Sequence, residues 1–139
     1  MPGLEPEHSY PKAKRVSLYG GLKVIYHPEE LGGFPIEKFV GAVKAEGAPI
    51  SDPGWEHAGS TQKLQHLKPL FAHGFDLWGH NRGPLGNDFE VPEKGTFPVA
   101  ESLDKKFFTI PSYIEPKEDF LDQYIAAFEK VIANYKLLS

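Results

Sequence analysis

The amino-acid sequence predicts a mixed α/β (α+β) fold, in which helices pack on one face of a small, mainly antiparallel sheet. Three stretches lead to this prediction. Apolar residues alternate over residues 16–26, as in a half-buried strand, with Gly20 and Gly21 marking a bulge or hairpin. Apolar residues recur at helical spacing over residues 36–47 and, for more turns, over residues 117–137.

Turn and capping residues delimit the predicted helices. Pro35 stands in the first turn of the earlier helix, and Gly47 is its expected C-terminal stop. The later helix follows Pro116 and has Glu118 and Asp119 in its first turn, where negative charge suits the helix dipole. Both segments therefore carry the end signals of a helix as well as its periodicity.

The remaining strands are expected to be short. Residues 48–50 follow the predicted helix stop with a proline and a β-branched residue, which favours a second strand. Residues 106–110, with the sequence KFFTI before a proline, favour a third. Residues 1–14 are rich in proline and charge, so we expect a tail or cut linker there and one domain over residues 15–139.

Residues 51–101 carry glycine, proline, asparagine and histidine at high density and lose the periodicity. Only residues 61–67 fit a short helix, with Ser60 as its candidate N-cap. A loop of this length inside a compact domain is either functional or held by a partner. We therefore expect the substrate-facing or recognition residues in this irregular segment.

The composition excludes several functions. A formal net charge of -4 without a basic cluster argues against nucleic acid as a partner. Without cysteines, the chain has no disulfide framework, thiolate metal site or thiol nucleophile. No stretch has the apolar length of a signal peptide or membrane span, so we expect no membrane partner and a soluble, cytoplasmic protein.

The histidines and glycines do not form a known catalytic motif. Three of the six histidines, His66, His73 and His80, are seven residues apart, which is not the spacing that places two imidazoles on one helix face. We expect loop histidines rather than a metal site, and a histidine-based metal protein stays open as a third hypothesis. No GxSxG, GxGxxG or P-loop spacing occurs, so we assign no catalytic residue.

The strongest candidate binding residues lie in the irregular segment at Trp78, His80, Asn81 and Arg82. A guanidinium fork and an amide in a glycine-bounded loop suit a carboxylate or a sugar, and the indole suits stacking on a ring. A surface turn with a tryptophan that anchors the loop on the core explains the same residues. Both interpretations stay open at this stage.

Six segments, read in order, resemble one protein family. They are the strand ending KVIY at residues 23–26, the helix IEKFVGAVKAEGAPI from residue 36, PLF at 69–71, FPVAE at 97–101, the strand FFTIP, and the helix DQYIAAFEKV. Their order and spacing resemble the C-terminal small domain of the DegT/DnrJ/EryC1/StrS aminotransferases. These are pyridoxal-phosphate enzymes of fold type I that aminate keto-sugars and cyclitols, and the pattern is most similar to the cyclitol branch.

The resemblance implies a supporting role in an aminotransferase. In such enzymes a larger N-terminal domain holds pyridoxal phosphate and its lysine, so the chain alone is expected to bind no cofactor and to be inactive. The chain would close one side of the active-site cleft and shape the pocket for a keto-sugar or cyclitol. The missing N-terminal domain is its expected partner, and an orphaned domain of this kind can also form a homodimer.

A second hypothesis belongs to a different class. The chain begins with Met1 and a proline-rich stretch where the family has a long helix, so a fragment and a stand-alone protein both remain open. In the second case the fold would serve as an independent binding or interaction module, with the irregular segment as its recognition surface.

Overall fold

The computed structural model describes residues 1–8, 11–13, 20–54, 64–68, 92–103 and 106–138. Within these ranges it has three strands and three α-helices. The strands are β1 (Leu4–Pro6), β2 (Leu22–Tyr26) and β3 (Phe107–Ile110), and the helices are α1 (Ile36–Ala45), α2 (Pro98–Ser102) and α3 (Glu118–Asn134). Short 3-10 turns lie at Pro28–Leu31, Gln65–Leu67 and Tyr135–Leu137.

The strands form one antiparallel sheet in the order β1, β2, β3. Val24 of β2 lies opposite Phe108 of β3, and Tyr26 lies opposite Leu4 of β1. Side chains alternate between the two faces of a sheet, so Val24, Tyr26 and Phe108 share one face. All three are buried, and this face supports the hydrophobic core.

The long helices α1 and α3 pack together and against that face. Phe39 of α1 is fully buried, and its ring centroid lies 4.9 Å from that of Tyr26, 6.0 Å from Phe108 and 6.1 Å from Phe128 of α3. Burying such a ring stabilises the fold by roughly 1.5 to 3 kcal/mol relative to leaving it in solvent. The predicted antiparallel sheet with helices is confirmed as a mixed α/β fold.

Both periodic segments form helices, as predicted. Pro35 immediately precedes α1, and Gly47 follows its C-terminal end with a φ of +90°, a conformation that glycine adopts at low cost. Helix α3 begins after Lys117, with Glu118 and Asp119 in its first turn. The predicted third strand is confirmed as β3.

The prediction of a strand at residues 48–50 is wrong. Residues 48–50 do not form a strand; instead, residues 51–54 border the outer edge of β3. The Ser51 N–H donates to the Thr109 carbonyl at 2.9 Å, and the Thr109 N–H donates to the Ser51 hydroxyl at the same distance. Because the Ser51 hydroxyl makes one of these two hydrogen bonds in place of a backbone carbonyl, residues 51–54 do not show the alternating sequence pattern of a strand.

The expected tail at residues 1–14 contributes a strand to the sheet. β1 pairs with β2 although two prolines lie in or near it, since an edge strand tolerates a missing N–H. The glycine pair predicted to interrupt the β2 region lies just before that strand, and residues 16–19 fall outside the described ranges. A side chain at Gly21, whose φ is +94°, would collide with the Ile110 carbonyl oxygen.

Of the irregular segment at residues 51–101, residues 51–54, 64–68 and 92–101 are described. Of the short helix predicted at residues 61–67, the described part forms the 3-10 turn Gln65–Leu67. Helix α2, which the sequence did not predict, lies at the other end of the segment. Among the described residues no helix combines the length and the apolarity needed to cross a membrane.

Candidate functional site

All four predicted binding residues, Trp78, His80, Asn81 and Arg82, lie outside the described residues. They belong to residues 69–91, whose flanking ranges, 64–68 and 92–103, are described. The candidate functional site is therefore formed by described residues in these two flanking ranges.

These two flanking ranges meet at His66 and Glu101. His66 Nε2 lies 2.9 Å from Glu101 Oε1, although the residues are separated by 35 positions in the sequence. Both side chains are largely shielded from water, with exposed fractions of 8% for His66 and 14% for Glu101. The His66 ring also meets the Phe97 ring edge-on, with centroids 4.9 Å apart.

Backbone amides at the start of α2 hold the Glu101 carboxylate. The Gly95 N–H lies 2.8 and 2.7 Å from its two oxygens, and the Phe97 N–H donates to Oε1 at 3.2 Å. The chain can turn back in this way because Gly95 has a φ of +99° and Pro98 starts the helix, where its missing N–H is no loss. Glu101 thus joins its own turn to His66.

The carboxylate is favoured in its ionised form. Burial on its own raises the pKa of Glu101, but the N–H groups of Gly95 and Phe97 and the His66 ring together outweigh it, so that the pKa falls below the usual value. A carboxylate accepts hydrogen bonds and donates none, so the tautomer that fits this contact has its N–H at Nε2. In that tautomer Nδ1 is the ring nitrogen that can accept a hydrogen bond.

This contact joins the two described ranges that flank residues 69–91. His66 precedes that stretch and Glu101 follows it, so the hydrogen bond between their side chains holds the two flanking ranges together. The pair fixes the orientation of an imidazole beside a largely shielded carboxylate.

Sequence reasoning missed this pair. His66 was considered only as one of three evenly spaced histidines, and Glu101 only as the last residue of FPVAE. The available signal was an acidic residue in the first turn of a short helix that begins with a proline, where negative charge is favoured by the free backbone N–H groups. Nothing in the sequence indicates that His66 is the partner.

A second histidine lies between two carboxylates at the N-terminal edge of the sheet. His27 Nε2 is 2.8 Å from Glu5 Oε2, and His27 Nδ1 is 3.0 Å from Glu29 Oε1. These two hydrogen bonds, Glu5 first and then Glu29, raise the pKa of His27 above 6.5. Both ring nitrogens can donate hydrogen bonds only when the ring is protonated, so the site favours the imidazolium, which links Glu5 of β1 to Glu29. We call His27, Glu5 and Glu29 the His27 clamp.

Comparisons with protein-family models, with curated proteins and with solved structures find no match for this chain. Among the described residues, no three histidine and carboxylate side chains are grouped so that they could hold a metal ion. The His66 and Glu101 pair is the candidate functional site among the described residues, because it is a largely shielded contact between the two ranges that flank residues 69–91.

Proposed function

We propose that this chain is the C-terminal small domain of a pyridoxal-phosphate-dependent aminotransferase that acts on a keto-sugar or a cyclitol. Its role is to shape the substrate side of the active site. A separate N-terminal domain holds the cofactor, and the intact enzyme transfers an amino group from a donor such as glutamine or glutamate. The chain has no transaminase activity alone.

The observation that carries the proposal is the contact between His66 and Glu101. It holds together the two described ranges that flank the segment containing Trp78, His80, Asn81 and Arg82, and an anchored substrate-facing loop would need such a contact. Glu101 is also the acidic residue of FPVAE, one of the six segments on which the family resemblance rests. In the proposed enzyme the pair positions this loop against the bound sugar.

The other resemblance segments support the same proposal through their positions. KVIY belongs to β2 and FFTI is β3, and the two are adjacent in the sheet. IEKFVGAVKA is α1, and DQYIAAFEKV lies within α3; both pack on the sheet face that carries Phe108. Five of the six segments are thus described, and PLF at residues 69–71 lies outside the described ranges.

The described lysines do not fit the role of the cofactor lysine. A Schiff-base lysine is set in a pocket that holds the pyridoxal ring and tunes it. None of the described lysines is buried, and Lys44 and Lys130 form ion pairs with Asp52 and Glu46 at 2.5 and 2.6 Å. We therefore assign the cofactor to the proposed N-terminal domain and derive no reaction step from this chain.

The test is to isolate the native protein from its source cells with an antibody against the α3 sequence. We expect the visible absorption band of an enzyme-bound pyridoxal phosphate and glutamine-dependent amination of a keto-cyclitol such as scyllo-inosose. The purified 139-residue chain should show neither property. A native protein without the band and without activity on any keto-sugar would reject the aminotransferase and favour the stand-alone binding module.

A further inference from the structure

One flank of α3 leaves apolar side chains in solvent. Leu121 and Ile125 are 43% and 46% exposed and stand one helical turn apart, so they adjoin on the helix surface. We call these two residues the α3 strip. Ile114, on the loop before the N-terminal end of α3, is 97% exposed. The preceding residue, Tyr113, packs edge-on against Phe120, with ring centroids 4.7 Å apart.

The α3 strip is bordered mainly by negative charge, because three of the four charged residues at neighbouring positions are acidic and one, the N-cap residue Lys117, is basic. Glu118 lies three residues before Leu121, Asp122 three before Ile125, and Glu129 four after it, which makes each a surface neighbour of the strip. All three are exposed, and none forms an ion pair with another described residue. We call these three residues the acidic rim.

We propose that the α3 strip is a docking site for another protein, and that the partner presents an apolar centre flanked by lysine or arginine. Apolar side chains that remain in water gain free energy when a partner covers them. The acidic rim decides which partner can do so, because a basic border is attracted and an acidic one is repelled. This inference goes beyond the proposed function, since the binding requires neither cofactor nor substrate.

The same charges disfavour the other occupants. In a symmetric dimer through this face, the acidic rim of one copy would meet that of the other, and like charges brought together cost free energy. An anionic bilayer surface would be repelled for the same reason. A protein surface of opposite charge is the occupant that satisfies both the strip and its rim.

The experiment uses the full chain and two designed helical peptides with identical leucine positions. One peptide has lysines beside its leucine stripe, and the other has glutamates there. We expect the lysine peptide to bind, as measured by fluorescence anisotropy, and to shift the amide NMR signals of α3. Its affinity should fall with added salt. Replacing both strip residues, Leu121→Ser with Ile125→Ser, should weaken its binding at least about tenfold.

Charge variants provide the matched control. Glu118→Gln with Asp122→Asn should weaken binding of the lysine peptide about three- to tenfold. Glu37→Gln with Glu93→Gln removes the same charge from exposed positions elsewhere and should leave the affinity unchanged. Equal binding of the two peptides, equal effects of the two charge variants, or a dimer abolished by the serine variant would overturn the proposal. None of these readouts depends on transaminase activity.

Discussion

The hydroxyl of Tyr124 on α3 donates a hydrogen bond of 2.7 Å to the carbonyl oxygen of Pro49, which follows α1. The hydroxyl of Tyr113 lies 2.6 Å from the same Tyr124 oxygen, and the two rings meet edge-on. Burial, followed by the hydrogen bond to Tyr113, raises the pKa of Tyr124. Its hydroxyl is therefore a neutral donor that ties α3 to the end of α1.

Tyr124→Phe should lower the free energy of unfolding by about 1 kcal/mol, because the Pro49 carbonyl loses its donor while the ring packing is retained. Tyr113→Phe should cost less, since the bond from Tyr124 to Pro49 survives it. Urea denaturation of the two single variants and the double variant measures the coupling. Equal losses in the two single variants would contradict this order.

The core can be probed with two identical substitutions at different depths. Val43 of α1 is 0% exposed and Val99 of α2 is 75% exposed. Val43→Ala should lower the free energy of unfolding by about 2 kcal/mol through lost burial and the cavity left behind. Val99→Ala should change it by less than about 0.5 kcal/mol. Similar thermal midpoints for the two variants would contradict the described packing.

The His27 clamp should make the N-terminal edge of the sheet sensitive to pH. Because the folded pKa of His27 is raised above 6.5 by Glu5 and then Glu29, its stabilising contribution is complete below that value and is lost as pH rises through the folded pKa. Glu29 must also stay ionised, and a backbone hydrogen bond, followed by the hydrogen bond to His27, lowers the pKa of its carboxyl group below 4.5. The relevant pH range therefore runs from about 4.5 upward through the folded pKa of His27.

The measurement is amide hydrogen exchange of β1 across this pH range, corrected for the intrinsic pH dependence of exchange. The corrected protection of β1 should fall as His27 loses its proton, and His27→Gln should remove the pH dependence. His8→Gln serves as the control, because His8 is largely exposed and lies at 3.4 Å from Glu5. Protection of β1 that is independent of pH in the wild-type chain would contradict the clamp.

Glu101→Gln should loosen the contact between the two described ranges that flank residues 69–91. The amide keeps the shape of the side chain but loses the charge that attracts the Gly95 and Phe97 N–H groups and His66. Because the pKa of Glu101 is lowered in the fold, the wild-type contribution is present above pH 4.5 and is lost as pH falls through the folded pKa.

Hydrogen exchange at Gly95 and Phe97 checks this expectation: both amides should exchange faster in Glu101→Gln than in the wild-type chain. Ser102→Ala is the neighbouring control, because it removes only an exposed hydrogen bond to the Val99 carbonyl. An equal change in the two variants would mean that the carboxylate does not hold this turn.

The long elements were predictable because one periodicity explains each of them. Helix α1 has an apolar stripe of Ile36, Phe39, Val40 and Val43, and α3 has Tyr124, Ala127, Phe128 and Val131, which all prove to be buried. β3 was also predicted, since Phe107 and Phe108 are followed by a β-branched residue and a proline stop. Local sequence is enough where a single face is buried over several turns.

The remaining parts depend on partners that are distant in the sequence. β1 has only three residues, one of which is a proline, so its local sequence does not indicate a strand, and its pairing with β2 makes it one. The contact between His66 and Glu101 joins positions that are 35 residues apart, and no local pattern connects them. Trp78, His80, Asn81 and Arg82 lie outside the described residues, and their assignment as binding residues stays a prediction.

The mass of the native polypeptide tests most directly our proposal that this chain belongs to a larger aminotransferase. The protein should be captured from its source cells through the α3 sequence and measured intact by mass spectrometry. We expect a polypeptide several hundred residues long, with a cofactor lysine N-terminal to the 15.5 kDa described by this sequence. A native product of about 15.5 kDa would contradict the proposal and leave a stand-alone binding module in its place.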